Sequence, residues 1–585
     1  MSVFYLQRFL SWLSFAIASE AALTYLADIA DGSDLLSFVS RPDIRAPAWK
    51  VTKHKPESIS PGYWFVAPYT KWPSKPFLIE YMPYQVGPHI YDGNGDLIWS
   101  GAGLDRNRNV QDFRPYTIDN QTYLSYILAP LYEQSLNDSN GVYVTMGSDY
   151  RRKTSIIPEE ALNGHEFRVL DKGSKALVIT TRTKSQDTRG QPKSAISFGR
   201  YLNDCVGEMD MKTGNKTFEW CAMDHGVSGA DTFEKLPDND EPWDFMHINS
   251  VERFGNGDLL LSARYTNTLY RVSRADKSIL WELGGKHSDF QMSFNFSAQH
   301  YARIVSENST TTVVLMLDNA SVEVGRDRDS ANMSSAKMMA LHTAEQPMRA
   351  EWDRPDGNKT RKRGNVDILA GGNIWVGWSE RSYVSEHTYD GELLLEAQFT
   401  SNRFGTYRAY KSPFIGNPTE PPAIKAFQYA SLDGANVMTT AYVSWNGATE
   451  VRSWKFLGFS SGCDETSEIA MVDRTGFETS ITVSGSWSNI TAMALDAGGR
   501  EIGRSAASGL VSDARRVWAA IPTRLQVFLL ATMSISAFMM QCLIVCAFIW
   551  VRKQTRRSKE SKWEASRGVY TKIETGSIDS DHEQH

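Results

Sequence analysis

The chain has 585 residues, and its 62 lysines and arginines stand against 68 aspartates and glutamates, a net charge of −6. That balance is too mild for a nucleic-acid footprint, and the only compact basic runs are a cluster after Val551 and Arg361-Lys362-Arg363, the latter expected in an exposed loop. Five cysteines without a CxxC or Cys/His spacing leave no structural metal indicated, and no GxxxxGK[ST] phosphate loop supports a nucleotide cofactor.

In chain order, Arg8 precedes an apolar run, Phe9 to Ala18, that closes on Ala16-Ile17-Ala18. The small-x-small ending predicts a signal peptide over 1–18. An uncleaved anchor is the competing reading, but Glu20 interrupts the run well short of the roughly 20 residues a span requires.

A hairpin motif then recurs along the body. Pro88-His-Ile-Tyr-Asp92-Gly-Asn-Gly-Asp-Leu-Ile-Trp99 is echoed from Gly207 to Trp220, from Leu269 to Trp281, and more weakly from Tyr383 to Glu396. Each copy reads as a strand, a tight turn and a return strand. Hairpins at intervals of tens of residues, with almost no helical periodicity between the chain ends, predict an all-β repeat fold. A β-propeller satisfies this best, because radial blades leave only short, protected sheet edges. Unrelated hairpins in two sandwiches are the alternative. The tryptophans of the motif are expected to pack between blades.

Nine Asn-x-Ser/Thr sequons, at Asn120, Asn137, Asn215, Asn295, Asn308, Asn319, Asn332, Asn358 and Asn489, fit a glycosylated lumenal or extracellular body. Cys205 and Cys221 are spaced to pair across adjacent strands in an oxidising compartment, which leaves Cys463 odd.

After residue 430 come Tyr442 to Val451 and the strand-like Phe477 to Val483, expected to form closing strands or a small β-module over 431–505. A stalk is expected over 506–524. Leu525 to Val551 is 27 residues without a charge, long enough to cross a bilayer as one transmembrane helix. Arg552, Lys553, Arg556, Arg557, Lys559 and Lys562 follow, so residues 552–585 read as a basic juxtamembrane segment and disordered cytoplasmic tail. The whole reads as a single-pass type I membrane protein.

The candidate chemistry lies in the middle. Glu241-Pro-Trp-Asp-Phe-Met-His247-Ile-Asn-Ser250 leads into a strand ending Leu261-Ser-Ala-Arg264, and Gln299-His300-Tyr-Ala-Arg303 follows. Two histidines and an arginine in strand contexts suit a tetrahedral anion handled by an imidazole nucleophile and a guanidinium clamp, with no metal required. Each also has a plainer reading: hydrogen-bonded structural histidines, Asn249 and Ser250 supporting a turn, and Arg303 as a structural ion-pair partner. The alternation of Leu259 to Arg264 does not fix which face Arg264 points to.

These blocks, with His165-Glu166-Phe167, Ile279 to Gly285, Gly371-Gly372-Asn373, Tyr407-Arg408-Ala409-Tyr410 and Tyr442 to Ala448, make the chain resemble the arylsulfotransferase family, in particular its fungal-type members, over roughly Ser40 to Ser505. The resemblance implies a six-bladed propeller over 19–430 with the active site in its central channel. It implies sulfuryl transfer from an aryl sulfate to a phenol through a sulfohistidine, without a nucleotide donor or other cofactor. By the same resemblance His300 is the nucleophile, Arg264 the sulfate clamp, and His247 and His165 further channel histidines. A non-catalytic lumenal propeller that binds or scaffolds, and a hydrolase using water as acceptor, remain as other readings.

Overall fold

The computed structural model describes residues 34–70, 85–105, 108–128, 141–160, 162–187, 198–237, 241–321, 329–345, 348–352, 359–431, 436–459 and 466–512. The expected signal peptide, transmembrane run and tail, together with Cys463, Asn137 and Asn358, lie outside the described residues. Among the described residues there is no α-helix, and no helix is long and apolar enough to cross a membrane.

The strands form six radial sheets. β1 (Trp49–Lys53) is an outer edge, and β2 (Tyr63–Thr70), β3 (His89–Tyr91) and β4 (Leu97–Ser100) belong to blade I. Blade II is β5 (Val110–Ile118), β6 (Gln121–Leu128), β7 (Val142–Met146) and β8 (Arg152–Ile156). Blade III is β9 (Leu162–Leu170), β10 (Lys175–Asp187), β11 (Phe198–Asp210) and β12 (Lys216–Cys221). Blade IV is β13 (Ile248–Arg253), β14 (Leu259–Ala263), β15 (Thr268–Val272) and β16 (Ile279–Gly284). Blade V has β17 (Phe290–Met292) at its outer edge, then β18 (His300–Glu307), β19 (Thr311–Asp318), β20 (Ser335–His342) and β21 (Met348–Trp352). Blade VI is β22 (Asn365–Ile368), β23 (Ile374–Gly377), β24 (Tyr383–His387) and β25 (Leu393–Phe399), and β26 (Phe404–Ser412) completes blade I.

Two strands close the ring. β26 is the innermost strand of blade I, pairing with β2 from Tyr63↔Ser412 to Thr70↔Phe404, and β1 adds to the outside of blade VI by pairing with β25. Chain ends far apart in sequence thus share sheets, which ties the first blade to the last. The recurring hairpins are the third and fourth strands of blades I, III, IV and VI, and their tryptophans, Trp99, Trp220 and Trp281, are buried between blades.

Six apolar clusters fill the ring, one at each interface between neighbouring blades. Examples are Phe65 with Phe113 between blades I and II, and Trp64 with Trp375 between blades VI and I. Each sheet is therefore buried on both faces. In β14, Leu259 and Leu261 face blade III while Leu260 faces blade V, and all five residues are buried. Such a strand reads as a continuous apolar run.

The described residues fall into two compact units, one holding the propeller and residues 438–510, the other residues 427–437 and those from 511 on. Within the first, residues after the propeller form a β-module with its own core of Ala441, Val443, Trp454, Phe456, Ile481, Ile490 and Ala492. It docks through both polar and apolar contacts: the Asn446 side chain accepts from the Ser100 amide at 2.8 Å and donates to the Ser100 carbonyl at 3.0 Å, and Phe477 joins the apolar cluster of Trp64 and Trp375. The expected stalk begins with a strand, Ser508–Ser512, and its remainder lies outside the described residues.

Candidate active site

The innermost strands, β26, β5, β9, β13, β18 and β22, surround the central channel, and most are not regular. β5, β9, β13 and β18 each break register against their second strand, between Gln111 and Arg114, around His165, between Ile248 and Ser250, and between His300 and Arg303. The extra residues in these bulges include Asp112, His165, Glu166, Asn249 and Tyr301. A bulge re-aims side chains that strict alternation would bury between blades. Asp112, His247, Tyr301 and Arg363 also hold left-handed backbone, with φ of 53, 57, 61 and 64°. Such conformations cost energy in non-glycine residues and collect at functional sites.

At the end where the inner strands begin, the four histidine and arginine candidates converge. The rings of His165 and His247 stand edge to face with centroids 4.7 Å apart. His247 precedes β13, and its carbonyl accepts the Arg264 amide at 3.0 Å, so the end of β14 brings Arg264 beside it. Arg264 is buried, its Nη1 donates to the Tyr265 hydroxyl at 3.1 Å, and its guanidinium lies 4.9 Å from the Tyr265 ring centroid.

His300 opens β18 and is 2% exposed. Its Nδ1 lies 2.7 Å from Asn319 Oδ1 and 2.9 Å from the Ala298 carbonyl, while its Nε2 accepts the Arg363 amide at 3.2 Å. Burial pushes His300 well below the usual imidazole range, and the charges of Arg264 and His247 push the same way, against the hydrogen bonds that the ring donates to Asn319 and Ala298. His165 is driven down by burial and then by His247, His300, Arg408 and Arg363. Both rings are therefore neutral near pH 7, as an attacking imidazole must be. His247 is oriented by Asp244, whose Oδ2 is 2.5 Å from Nδ1, and its ring meets Tyr265 at 4.8 Å.

Deeper in the channel lies a buried ion network. Arg303 Nη2 donates to Glu166 at 2.8 Å, Arg408 Nη1 to Asp112 at 2.8 Å, and Arg114 Nη2 to Asp112 at 2.6 Å and to Glu166 at 2.5 Å. Burial alone would raise the Glu166 carboxyl, but the guanidiniums of Arg303, Arg408 and Arg114 hold it far below its ordinary value. Tyr410 donates to Asp112 at 2.5 Å and Tyr301 to Asp367 at 2.9 Å. At the far end of the inner strands a cavity of about 860 Å³ opens, lined in part by Arg114, Arg168, Glu252, Tyr301 and Lys411. The network stands between that cavity and the histidines.

The arylsulfotransferase (ASST) family model matches residues 134–400, a stretch that holds His165, His247, Arg264 and His300. Over these residues the chain is similar to the arylsulfotransferase family. No curated protein matches the chain. Among solved structures, a Bacteroides caccae protein of unknown function is 10% identical, with 60% of this chain and 99% of that one covered and a TM-score of 0.32. The calcium-binding protein regucalcin from Agrobacterium tumefaciens is 13% identical, with 56% and 80% covered and a TM-score of 0.27. A catalytically inactive virginiamycin B lyase from Staphylococcus aureus with quinupristin is 13% identical, with 58% and 94% covered and a TM-score of 0.25. Likenesses this distant carry no argument about the site.

Several assignments from sequence change here. Arg361-Lys362-Arg363 is not an exposed loop: all three are partly shielded, and Arg363 lies in the channel with its side chain on Tyr69. Asn249 and Ser250 do not serve a turn. They staple blade IV to blade V, with Asn249 Nδ2 donating to the Gln299 carbonyl at 2.7 Å and Ser250 Oγ accepting the Ala302 amide at 2.9 Å. Asn319 is fully buried against His300, so this sequon is no glycan acceptor in the folded chain, whereas Asn120, Asn215, Asn295, Asn308 and Asn332 are exposed. Arg303 is an ion-pair partner, and Cys205 and Cys221 form a disulfide across β11 and β12. Sequence reasoning missed Asp244, Glu166, Tyr407 and Arg408 as channel residues, although all sit inside blocks carrying the family resemblance. For Asp112 and Arg363 no sequence signal pointed inward.

Proposed function

We propose that the protein transfers a sulfuryl group from an aryl sulfate to a phenol through a covalent intermediate on His300, with no nucleotide donor. The observation that carries this reading is a buried, neutral His300 with the Arg264 guanidinium and a second, carboxylate-paired histidine beside it. The Nε2 lone pair of His300 attacks sulfur, the bond from sulfur to the aryl oxygen breaks, and its electron pair leaves as phenolate. His247 gives that oxygen a proton. An acceptor phenol then returns a proton to His247 and attacks the same sulfur, and the N–S pair goes back to Nε2. Arg264 offers paired donors to the non-bridging oxygens, a geometry that lysine lacks. His165, Tyr265 and Tyr407 supply aromatic walls for the donor and acceptor rings.

The same reading sets the propeller on the lumenal or extracellular side of a secretory-pathway membrane, anchored as a fungal-type, type I member by residues 525–551. The Cys205–Cys221 disulfide supports an oxidising compartment, and the exposed sequons support N-glycans. Deglycosylation with a mobility shift, and protease protection of the tail in sealed vesicles, test this topology. An undigested tail, or an ectodomain without glycans, would count against it.

Incubation with a chromogenic aryl sulfate followed by peptide mass spectrometry tests the chemistry. A sulfuryl adduct on His300, absent in His300→Ala, is the expected result. Neither adduct nor phenol release from folded protein would transfer the assignment to a binding propeller. Free sulfate in place of a sulfated phenol would make the enzyme a hydrolase.

A further inference from the structure

We propose that Asn319 is the positioning residue for His300: its side-chain amide fixes which ring nitrogen attacks and holds the turn facing that nitrogen. The inference rests on the sulfuryl-transfer reading and deepens it.

Asn319 follows β19 directly and is 0% exposed. Its Nδ2 lies 3.0 Å from the Thr360 carbonyl and 3.0 Å from the Arg363 carbonyl. Carbonyls only accept, so this end of the amide is the NH2 group and the end 2.7 Å from His300 is the oxygen. An oxygen there requires a proton on Nδ1, as does the Ala298 carbonyl at 2.9 Å. Nε2 then carries the lone pair, and the Arg363 amide donating to it at 3.2 Å agrees. Three ring contacts from three chain segments select one tautomer.

The turn from Thr360 to Gly364 is built for this contact. Arg363 and Gly364 both have positive φ, 64 and 98°, and a Cβ on Gly364 would meet Leu317 Cδ2 at 2.4 Å and the Gly377 carbonyl at 2.6 Å. When Nε2 attacks, its lone pair becomes the N–S bond and the aryl oxygen departs with the old bonding pair. The Arg363 N–H is released from nitrogen and lies beside the sulfuryl oxygens as a donor. The Nδ1 proton stays in place, so the ring becomes cationic against two neutral oxygens. An amide suits this position better than a carboxylate, which would favour the imidazolium and so consume the attacking lone pair. The other charged or titratable groups near the ring are Arg264, His247, His165 and Arg363.

The test uses full-length protein and 4-nitrophenyl sulfate, following the burst of nitrophenol and the His300 adduct against pH. Asn319→Asp keeps the acceptor but adds charge, and the acid limb of the burst rate is expected to move up by at least about one pH unit, with rate recovered at alkaline pH. Asn319→Ala loses both functions and is expected to slow the burst about 10²-fold at every pH with little change in KM. A wild-type adduct together with unchanged rate and pH profile in both variants overturns this proposal alone, whereas absence of the wild-type adduct overturns the transfer reading first. If the variants fail to fold, glycopeptide mapping of the wild type decides: an unmodified Asn319 supports the proposal, and a glycan there overturns it.

Discussion

Asp244 Oδ2 lies 2.5 Å from Nδ1 of His247, a residue that also holds left-handed backbone at φ 57°. The pair fixes the His247 ring, whose centroid stands 4.7 Å from that of His165. If His247 is the proton donor to the leaving phenolate, Asp244→Asn slows transfer from poor leaving groups by about 10²-fold or more. Nitrophenyl sulfate, whose phenolate leaves unaided, is affected far less. Burst rates over a series of phenol pKa values give the check, and equal losses across the series would remove the general-acid role.

Arg264 is buried at the channel mouth and acts on His300 through its charge. Arg264→Lys keeps the charge but loses the planar fork, so adduct formation should fall by about 10²–10³-fold. A lysine variant with wild-type burst kinetics would show that charge alone is needed.

Buried neutral histidines make the fold acid-sensitive. His89 is fully buried between Gly87 and Ser100, and burial lowers its pKa from 6.5 to about 4. Between those values the unfolded chain binds the proton and the folded chain does not, so stability is full above about pH 6.5 and falls with pH. The loss from His89 is on the order of 3 kcal/mol by pH 4. His165 and His300 act in the same direction. Urea unfolding between pH 7.5 and 4.5 should show a shallower decline for His89→Asn than for wild type.

The ion network should be costly to break. Glu166 meets Arg303, Arg408 and Arg114, all buried, and Glu166→Gln leaves Arg408 and Arg114 to Asp112 alone and Arg303 to Glu252 at 3.6 Å. A loss of about 3–5 kcal/mol in unfolding free energy is expected, because the surviving charges stay desolvated. A change below about 1 kcal/mol would mean that water reaches them.

The Cys205–Cys221 disulfide lies on the outer hairpin of blade III, its Cys205 strand two places out from the inner strand that bears His165. It closes a loop of 16 residues, so Cys205→Ser with Cys221→Ser should cost about 3 kcal/mol. The burst rate at 25 °C should be unchanged, which stopped-flow assay of the double variant would reveal.

Local rules in the sequence determined the outer hairpins. Asp92-Gly-Asn-Gly, Asp210 to Gly214 and Asp390-Gly391 specify tight turns whatever surrounds them, and the tryptophans beside them required burial. The repeat therefore predicted blades, and the blocks around His247, Arg264 and His300 predicted the family. Tertiary structure alone decided what closes the ring, since β26 meets β2 across more than 300 residues of chain. It also decided the channel lining. Alternation could not reveal it, because every blade is buried on both faces and the bulges at Asp112, His165, Asn249 and Tyr301 break the period of two where the inner strands meet. Asn319 shows the difference most directly. Its three-residue sequon reads as a surface glycan acceptor, yet β19 carries it to the ring of His300, a neighbour 19 residues away that only the packed blade supplies.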